Sequence, residues 1–419
     1  MEKKKILVLS DHCFAFSGVG IQTRHVVEAL LKTGRFQILQ LGGALKHNDY
    51  RPAKTQEYGD DLIVHPVDGY GNPDMVRSVL RSFRPDLVWF MTDPRFWEWL
   101  WQMEDEIRPL CPMLYYHDFD NYPYPKYNRN YYLSTDVIAS ISKITQDIVE
   151  TVAPEVESIY LPHAVNTEIF KPLSTGQREL LRKDNFGSNS DKFVYFFNSR
   201  NARRKMTGSI VYWFKTFLDK HNLHEKAQLI MHTDPYDDNG PNLERIAKDM
   251  GLIGGQIQFS TGKLGFPQLA ALYSMTDCFI NISDAEGFGL GVLESLSCGT
   301  PAIGNMTGGI QEQITDGKDF FGVGIVPCSK TIVGSQSVPY VFEDRISEEQ
   351  FHDALWEMFN MPLEERLALG LKGREHVLKN YNFEDFQKNW ISLVDKTIEK
   401  HGSWQTRKNY KPWELREVK

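Results

Sequence analysis

The chain has 419 residues, of which 41% are hydrophobic and 24% are charged, and its formal net charge is −8 at pH 7. This length exceeds what one ordinary core supports and favours two domains of about 200 residues each. The composition excludes a disordered chain. The acidic balance argues against a broad surface for nucleic acid or an anionic membrane, so a nucleic-acid partner is disfavoured.

The five cysteines are scattered and form no C-x-x-C pair, so we expect reduced, mostly buried thiols rather than a zinc site or a disulfide framework. The apolar run after the first lysines is too short for a signal peptide, and no run of about 18 apolar residues exists. We therefore expect a cytoplasmic protein without a transmembrane segment.

The amino-terminal region predicts a strand, a helix and a second strand at residues 6–10, 21–32 and 36–41, with Gly18 and Gly20 opening the helix. A nicotinamide site of this type needs a third glycine near position 23 and an acid after the second strand. The chain has Thr23 and a Gln-Leu-Gly run instead. Binding of NAD is therefore disfavoured.

Further strands are predicted after Arg84, at 113–116 and at 136–140, the last taken as the end of the first sheet, with an aromatic helix at 95–107. The strand at 113–116 ends at His117, where folds of this type place chemistry. The tyrosine-rich segment at 122–132 could stack an acceptor sugar, but packing between loop and helix is favoured. We place the domain boundary near 172, which gives domains at 1–172 and 173–383 and a terminal helix and tail at 384–419.

The second domain opens with a predicted strand at 193–197, followed by Arg200 and Lys205. A forked guanidinium and a compact ammonium five residues apart can hold a diphosphate. Arg203 and Arg204 lie between them, so a solvated basic loop is the alternative interpretation.

The most informative stretch is 277–301, which predicts a strand, the turn E-G-F-G at 286–289, and a helix ended by Gly299 and Pro301. The N–H groups near the helix start would point at an anion beyond the strand. Glu286 and Glu294, with seven residues between them, could accept hydrogen bonds from sugar hydroxyls. The alternative is an ordinary βα unit with two solvated glutamates. The residues predicted to bind the donor here are Gly287, Phe288, Gly289, Leu290 and Glu294.

This stretch resembles the E-x7-E signature of retaining GT-B glycosyltransferases, especially glycosyltransferase family 4. Residues 161–172, 307–312 and the Arg200–Lys205 spacing resemble the family's other motifs. The resemblance implies an α/β protein of the GT-B class, with two Rossmann-like domains facing each other across a cleft, the first on the acceptor side and the second binding the donor. The terminal helix is expected to cross back to the first domain.

The resemblance also implies site residues. Glu286 and His117 would face the donor sugar as catalytic residues, and Glu294 would accept hydrogen bonds from the ribose hydroxyls of the nucleotide. The loop of Gly18 and Gly20 would lie over the donor phosphate or beside the acceptor. Cations would replace a metal on the diphosphate, so no metal or cofactor is expected. The Asp-x-Asp pair of Asp118 and Asp120 is discounted as a metal site because it lies in the other half of the chain.

The predicted function is metal-independent transfer of a sugar from a nucleotide-diphosphate sugar to an acceptor hydroxyl, with retention of configuration. The acceptor could be a saccharide, a lipid-linked sugar or another molecule. Two alternatives remain open: a GT-B-like epimerase or hydrolase of the nucleotide sugar, and a non-catalytic nucleotide-sugar binder. Residues 328–345 match no family element and could be an insertion that bears on substrate choice or assembly.

Overall fold

The structure is a computed structural model and describes residues 2–119, 124–336 and 338–412. The chain divides into two compact units: unit 1 comprises Met1–His163, Gly334–Val341 and Glu384–Lys419, and unit 2 comprises Ala164–Val333 and Phe342–Phe383. The chain therefore leaves unit 1 earlier than the predicted 172, and the sequence did not indicate that 334–341 belongs to unit 1. In the described part of the chain, no helix has the length and hydropathy needed to span a membrane.

Unit 1 contains an eight-stranded sheet in the order β3-β4-β2-β1-β5-β6-β7-β8, parallel except for the pairing of β3 with β4. Its strands are β1 Lys4–Asp11, β2 Phe36–Gly43, β3 Ala53–Lys54, β4 Leu62–Pro66, β5 Leu87–Met91, β6 Met113–His117, β7 Val137–Ser140 and β8 Glu157–Tyr160. Its helices are α1 Gly18–Leu31, α2 Pro73–Ser82, α3 Glu98–Trp101, α4 Glu104–Ile107, α5 Arg129–Leu133, α6 Lys143–Val152 and, beyond unit 2, all but the first residue of α15 Phe383–His401.

Two predictions in unit 1 are wrong. The sheet ends at β8, not at β7, because four half-exposed residues without an apolar run gave no strand signal. The single helix predicted at 95–107 is a 3-10 turn followed by α3 and α4. Its buried apolar residues spread over about half of a helix circumference at 100° per residue, an arc that one continuous helix can also bury, so their spacing did not reveal the break. Those residues are Trp97, Leu100, Trp101, Met103 and Ile107.

The tyrosines after β6 pack against the core of unit 1, as favoured from the sequence. The Tyr131 ring stacks on Trp101 with centroids 4.9 Å apart, and Tyr132 is fully buried. Tyr122 lies outside the described residues. The cysteines are unpaired, and all except Cys328 are buried, which agrees with the expected reduced thiols.

Unit 2 contains a six-stranded parallel sheet in the order β11-β10-β9-β12-β13-β14, and a separate two-stranded sheet of β15 and β16. The strands are β9 Phe193–Asn198, β10 Ala227–His232, β11 Ile257–Ser260, β12 Cys278–Asn281, β13 Ala302–Asn305, β14 Gly322–Ile325, β15 Ser329–Val333 and β16 Val341–Arg345. The helices are α7 Thr175–Phe186, α8 Thr207–His221, α9 Leu243–Asp249, α10 Phe266–Met275, α11 Leu290–Ser297, α12 Ile310–Ile314, α13 Glu348–Asn360 and α14 Leu363–Asn380.

The strand order of unit 2 reverses between β9 and β12. Sheets of this kind leave a crevice beyond the carboxyl ends of the two strands at such a point, and ligands bind there. The segments that leave these strands are 199–206 and 282–289, which contain the predicted clamp and the predicted glycine turn. The topology of unit 2 therefore brings both motifs to one edge of its sheet.

Residues 328–345, unassigned from the sequence, contain both strands of the β15–β16 hairpin. Its connecting segment 334–341 is counted in unit 1, where the Tyr127 hydroxyl donates to the Tyr340 carbonyl at 2.8 Å. Residues 342–345 of β16 belong to unit 2, where their side chains lie near the glycine turn, as described below.

Candidate functional site

The turn after β12 has a backbone that side chains would obstruct. Gly289 has φ +94°, a left-handed conformation that favours glycine, and it caps α11. Gly308 is also left-handed, and a Cβ at this position would collide with the carbonyl of Glu286. A second glycine turn, at 307–309, therefore packs closely against the turn at 286–289. The Gly309 N–H donates to that carbonyl at 3.1 Å. These contacts fix where the Glu286 side chain begins.

Glu286 forms an ion pair with Lys205, whose ammonium donates directly to the carboxylate. Arg204 adds a second cation 3.6 Å from the same oxygen. The side chains of Lys205 and Glu286 are 10% and 13% exposed, so water screens this pair weakly. Burial alone would raise the pKa of Glu286, but Lys205 and Arg204 outweigh it and hold the pKa below its ordinary value. Glu286 is therefore an ionised, buried carboxylate beside two cations.

The predicted clamp partners have different surroundings. The Arg200 guanidinium is 67% exposed and donates to Asp237 at 2.6 and 3.2 Å. This pairing lowers the pKa of Asp237 to about 2. Lys205 is held at Glu286, whereas Arg200 is held at a separate carboxylate, and the structure adds Arg204 as the second cation beside Glu286. The joint clamp of Arg200 and Lys205 stays a prediction.

Glu294 lies one turn into α11 and accepts a hydrogen bond from the Tyr273 hydroxyl at 2.8 Å. The Asn198 amide at the end of β9 donates to the same hydroxyl at 2.9 Å. This chain of three polar groups was not predicted, because its members come from β9, α10 and α11 and share no local motif. It fixes the carboxyl of Glu294 in orientation, but its predicted contact with ribose stays a prediction.

A second group of charged residues also escaped the sequence analysis. The carboxylate of Glu343, at the base of β16, accepts from Arg203, and Arg345 lies 3.0 Å from Asp284, two residues before Glu286. Burial raises the pKa of Asp284 to about 7, although Arg345 opposes this shift. No sequence signal connects residues 203, 284 and 343, which only the fold brings together.

In unit 1, the glycine loop predicted to lie near the donor or acceptor begins α1. Ser17 caps this helix by accepting from the Gly20 N–H at 3.0 Å, and its hydroxyl donates to Asp11. Gly20 lies against the backbone of His12, where a Cβ would meet the carbonyl oxygen at 2.9 Å. Ser17 therefore serves as a helix cap. The ligand contacts of Gly18 and Gly20 stay predictions.

His117 ends β6, as predicted, and is fully buried. Its Nε2 lies 2.8 Å from the Tyr132 hydroxyl, and burial lowers the pKa of the imidazole to about 3, so the ring is neutral. The predicted contact of the His117 ring with a donor sugar stays a prediction. Asp120 lies outside the described residues, so the Asp-x-Asp geometry is not described. The described ranges contain no group of three His, Cys, Asp or Glu side chains that could hold a metal ion.

The buried carboxyl of Glu294 predicts a dependence of stability on pH. Burial raises its pKa from 4.5 to about 7, with the Tyr273 hydrogen bond opposing the shift. Between these values the unfolded chain loses the proton while the folded protein keeps it, so the free energy of unfolding falls as pH rises from about 4.5 to 7. Glu294→Gln keeps the hydrogen bond and removes the ionisation. The free energy of unfolding should therefore fall by about 2 kcal/mol less in this variant than in the wild type.

Denaturant unfolding at pH 5 and pH 8 measures the effect. Glu225→Gln is the matched control because its carboxyl is 83% exposed in the same unit. A fall in stability equal in Glu294→Gln and the wild type would contradict the shifted pKa.

Comparisons with known proteins bear on the family and the fold of this chain. Residues 181–375 match the family model described as glycosyl transferases group 1. A GDP-mannose-dependent alpha-(1-6)-phosphatidylinositol monomannoside mannosyltransferase from Mycolicibacterium smegmatis is 26% identical over 44% of this chain and 47% of the relative. A GDP-mannose-dependent monoacylated alpha-(1-6)-phosphatidylinositol monomannoside mannosyltransferase from Corynebacterium glutamicum is 26% identical over 54% of this chain and 52% of the relative. The chain thus spans about half the length of these relatives.

Solved structures match over nearly the whole chain. A sucrose-phosphate synthase from Thermosynechococcus elongatus has a TM-score of 0.75 at 18% identity and covers 95% of this chain and 100% of its own. Anabaena HepE, in complex with UDP and glucose, has a TM-score of 0.66 at 13% identity and covers 94% of this chain and 100% of its own. At these identities the likeness shows the fold, and it confirms the predicted GT-B class with Rossmann-like units. The family match covers residues 181–375, slightly less than half of the chain, so this part of the chain is similar to the glycosyl transferases group 1.

Proposed function

We propose that this protein transfers a glycosyl group from a nucleoside-diphosphate sugar to an acceptor hydroxyl, with retention of configuration. The observation that carries the proposal is the buried pair of Lys205 and Glu286, with Arg204 beside it, at the strand-order reversal of unit 2. Two cations beside one ionised carboxylate leave a net positive charge, which suits an anionic ligand better than a neutral one. In a nucleotide-sugar donor, the diphosphate would interact with the cations and the sugar hydroxyls with the carboxylate.

The charges match the changes that occur during transfer. As the glycosidic bond stretches, negative charge grows on the departing phosphate and positive charge grows on the sugar ring. The Lys205 ammonium has three N–H donors, so it can keep its bond to Glu286 and also donate to a phosphate oxygen. The N-terminus of α11, capped by Gly289, adds favourable potential for the diphosphate.

Glu286 acts on the opposite charge. Its ionised carboxylate can accept hydrogen bonds from sugar hydroxyls and stabilise positive charge on the ring. No carboxylate in this arrangement is assigned as a nucleophile, so retention proceeds by front-face attack. The acceptor hydroxyl then approaches on the side that the diphosphate leaves.

The family relatives suggest which substrates to test first. The mannosyltransferases are named for GDP-mannose and for phosphatidylinositol mannoside acceptors, and Anabaena HepE contains UDP and glucose. We propose a nucleoside-diphosphate hexose as donor, with GDP-mannose and UDP-glucose as the first candidates. A hydroxyl of a saccharide or of a glycolipid is the proposed acceptor.

The test is incubation with a panel of nucleotide sugars, with and without saccharide and glycolipid acceptors, followed by product analysis. Transfer that requires an acceptor and retains the anomeric configuration supports the proposal. Turnover of the nucleotide sugar without acceptor indicates an epimerase or hydrolase. Binding without turnover indicates a nucleotide-sugar binder, and either result overturns the proposed transfer.

Activity is expected to survive chelation of divalent metal, because Lys205, Arg204 and the α11 terminus supply the positive potential that a metal would otherwise bring to the diphosphate. The measurement is the transfer rate before and after dialysis against a chelator, with Asp118→Ala as a companion variant. Loss of activity on chelation, restored by Mg²⁺ or Mn²⁺, would contradict this expectation.

A further inference from the structure

We propose that the β15–β16 hairpin is a positioning element of the donor site. Glu343 holds Arg203 and, through it, the turn Arg203–Lys205 that brings Lys205 to Glu286. This inference rests on the proposed function for the identity of the ligand but not for the positioning itself. It gives a role to a segment that no sequence motif explains.

The first link joins β16 to the basic turn. Both terminal nitrogens of Arg203 donate to the Glu343 carboxylate. This bidentate contact fixes the orientation of the guanidinium as well as its distance from the carboxylate. Arg345 donates to the same carboxylate at 2.7 Å. Burial would raise the pKa of Glu343, but the two arginines keep the pKa below its ordinary value. Glu343 is therefore an ionised, buried anchor between two cations.

The second link joins β16 to the glycine turn. Arg345 lies 3.0 Å from the carboxylate of Asp284, and the Asp344 N–H donates to the Asp284 carbonyl at 2.8 Å. The Asp344 carboxylate also accepts from the Thr307 hydroxyl at 2.8 Å, beside the second glycine turn. The hairpin base is thus bonded to both segments that surround Glu286.

The third link closes the ring. The Asp284 N–H donates to the Arg204 carbonyl at 2.8 Å, and the Arg204 guanidinium donates to the Ala285 carbonyl at 2.8 Å. Segments 203–205, 284–286 and 343–345 therefore contact one another pairwise. The position of Lys205 against Glu286 is fixed by this ring and not by the two residues alone.

The backbone beside the turn requires such support. Met206, which follows Lys205 and caps α8, has φ +57°, a left-handed conformation that is strained in residues other than glycine. Strained residues persist where the surrounding contacts determine the backbone. The Arg345 guanidinium lies 3.8 Å from the Met206 sulfur, so the hairpin contacts the strained residue as well.

The test is Glu343→Gln, which keeps the size of the side chain and removes its charge. We expect hydrogen exchange at 203–206 and 284–286 to become faster. Affinity for GDP or UDP, measured by calorimetry, should fall about tenfold, the equivalent of a charge-assisted hydrogen bond. The donor KM should rise similarly, while kcat at saturating donor changes less than about threefold, because bound donor restores the turn.

Arg203→Gln is the second variant, because it removes the same ion pair by replacing the exposed partner instead of the buried one. If Glu343 acts through Arg203, the double variant should be no weaker than either single variant. Asp249→Asn, which removes an exposed ion pair from α9 in the same unit, is the matched control. Unchanged exchange and affinity in both variants, or additive losses in the double variant, would overturn the proposal.

The two proposals fail differently. If the wild type binds neither GDP nor UDP, the proposed function is wrong, and exchange at 203–206 and 284–286 alone decides the positioning role. Faster exchange in Glu343→Gln but not in Asp249→Asn then supports the role of the hairpin. Equal exchange in the two variants refutes it.

Discussion

Replacing Lys205 with alanine is expected to weaken nucleoside-diphosphate binding by about tenfold or more, because a charge-assisted bond to phosphate contributes about 1.5–3 kcal/mol. The structure adds a second cost. Lys205 is the main counter-charge to the buried Glu286, and its loss leaves that carboxylate with Arg204 at 3.6 Å. Transfer should therefore slow further at saturating donor. Calorimetry with GDP and UDP, together with the turnover rate, measures both effects.

Arg200→Ala should have a smaller effect than Lys205→Ala. The Arg200 guanidinium is largely exposed and is already bonded to Asp237, so any bond to phosphate must replace or share that contact. Arg245→Ala is the matched control, because this arginine pairs with an exposed carboxylate in the same unit. If Lys205→Ala binds diphosphate as the wild type does, Lys205 does not contact phosphate and the proposed site is wrong.

The sequence predicted the parts of the site that depend on local patterns. Apolar runs located β9 and β12, and the turn at 286–289 followed from its glycines. Parallel strands whose order reverses then place Lys205 near Glu286 at one sheet edge. The spacing of Arg200 and Lys205 suggested equal partners, but spacing along the chain does not reveal that Asp237 pairs with one of them.

The remaining features depend on contacts between distant segments. Asn198 meets Tyr273 across 75 residues of sequence, and Arg203 meets Glu343 across 140. Single charged residues on a hairpin give no pattern that distinguishes a buried anchor from a solvated surface residue. Similarly, β8 was missed because an edge strand with half-exposed residues carries no apolar run. Such partners become visible only when the fold is known.

The two glutamates of the turn and helix are expected to differ when each is replaced by alanine. Glu294 is oriented by Tyr273 and, as proposed, accepts from the ribose hydroxyls, which are present in the diphosphate and in the donor alike. Glu294→Ala should weaken both ligands by about tenfold, which corresponds to one hydrogen bond of about 1.4 kcal/mol. Tyr273→Phe, which removes only the orienting hydroxyl, should give a smaller loss in the same direction.

Glu286→Ala should leave diphosphate affinity intact or raise it, because Lys205 loses its carboxylate partner and keeps its charge for phosphate. Transfer should slow by about 10²–10³-fold, as is typical when a group that stabilises transition-state charge is removed. Diphosphate affinity by calorimetry and single-turnover rates for both alanine variants test this division. Equal loss of diphosphate affinity in the two variants, or full turnover in Glu286→Ala, would mean that Glu286 shapes the turn and holds Lys205 without contacting the donor sugar.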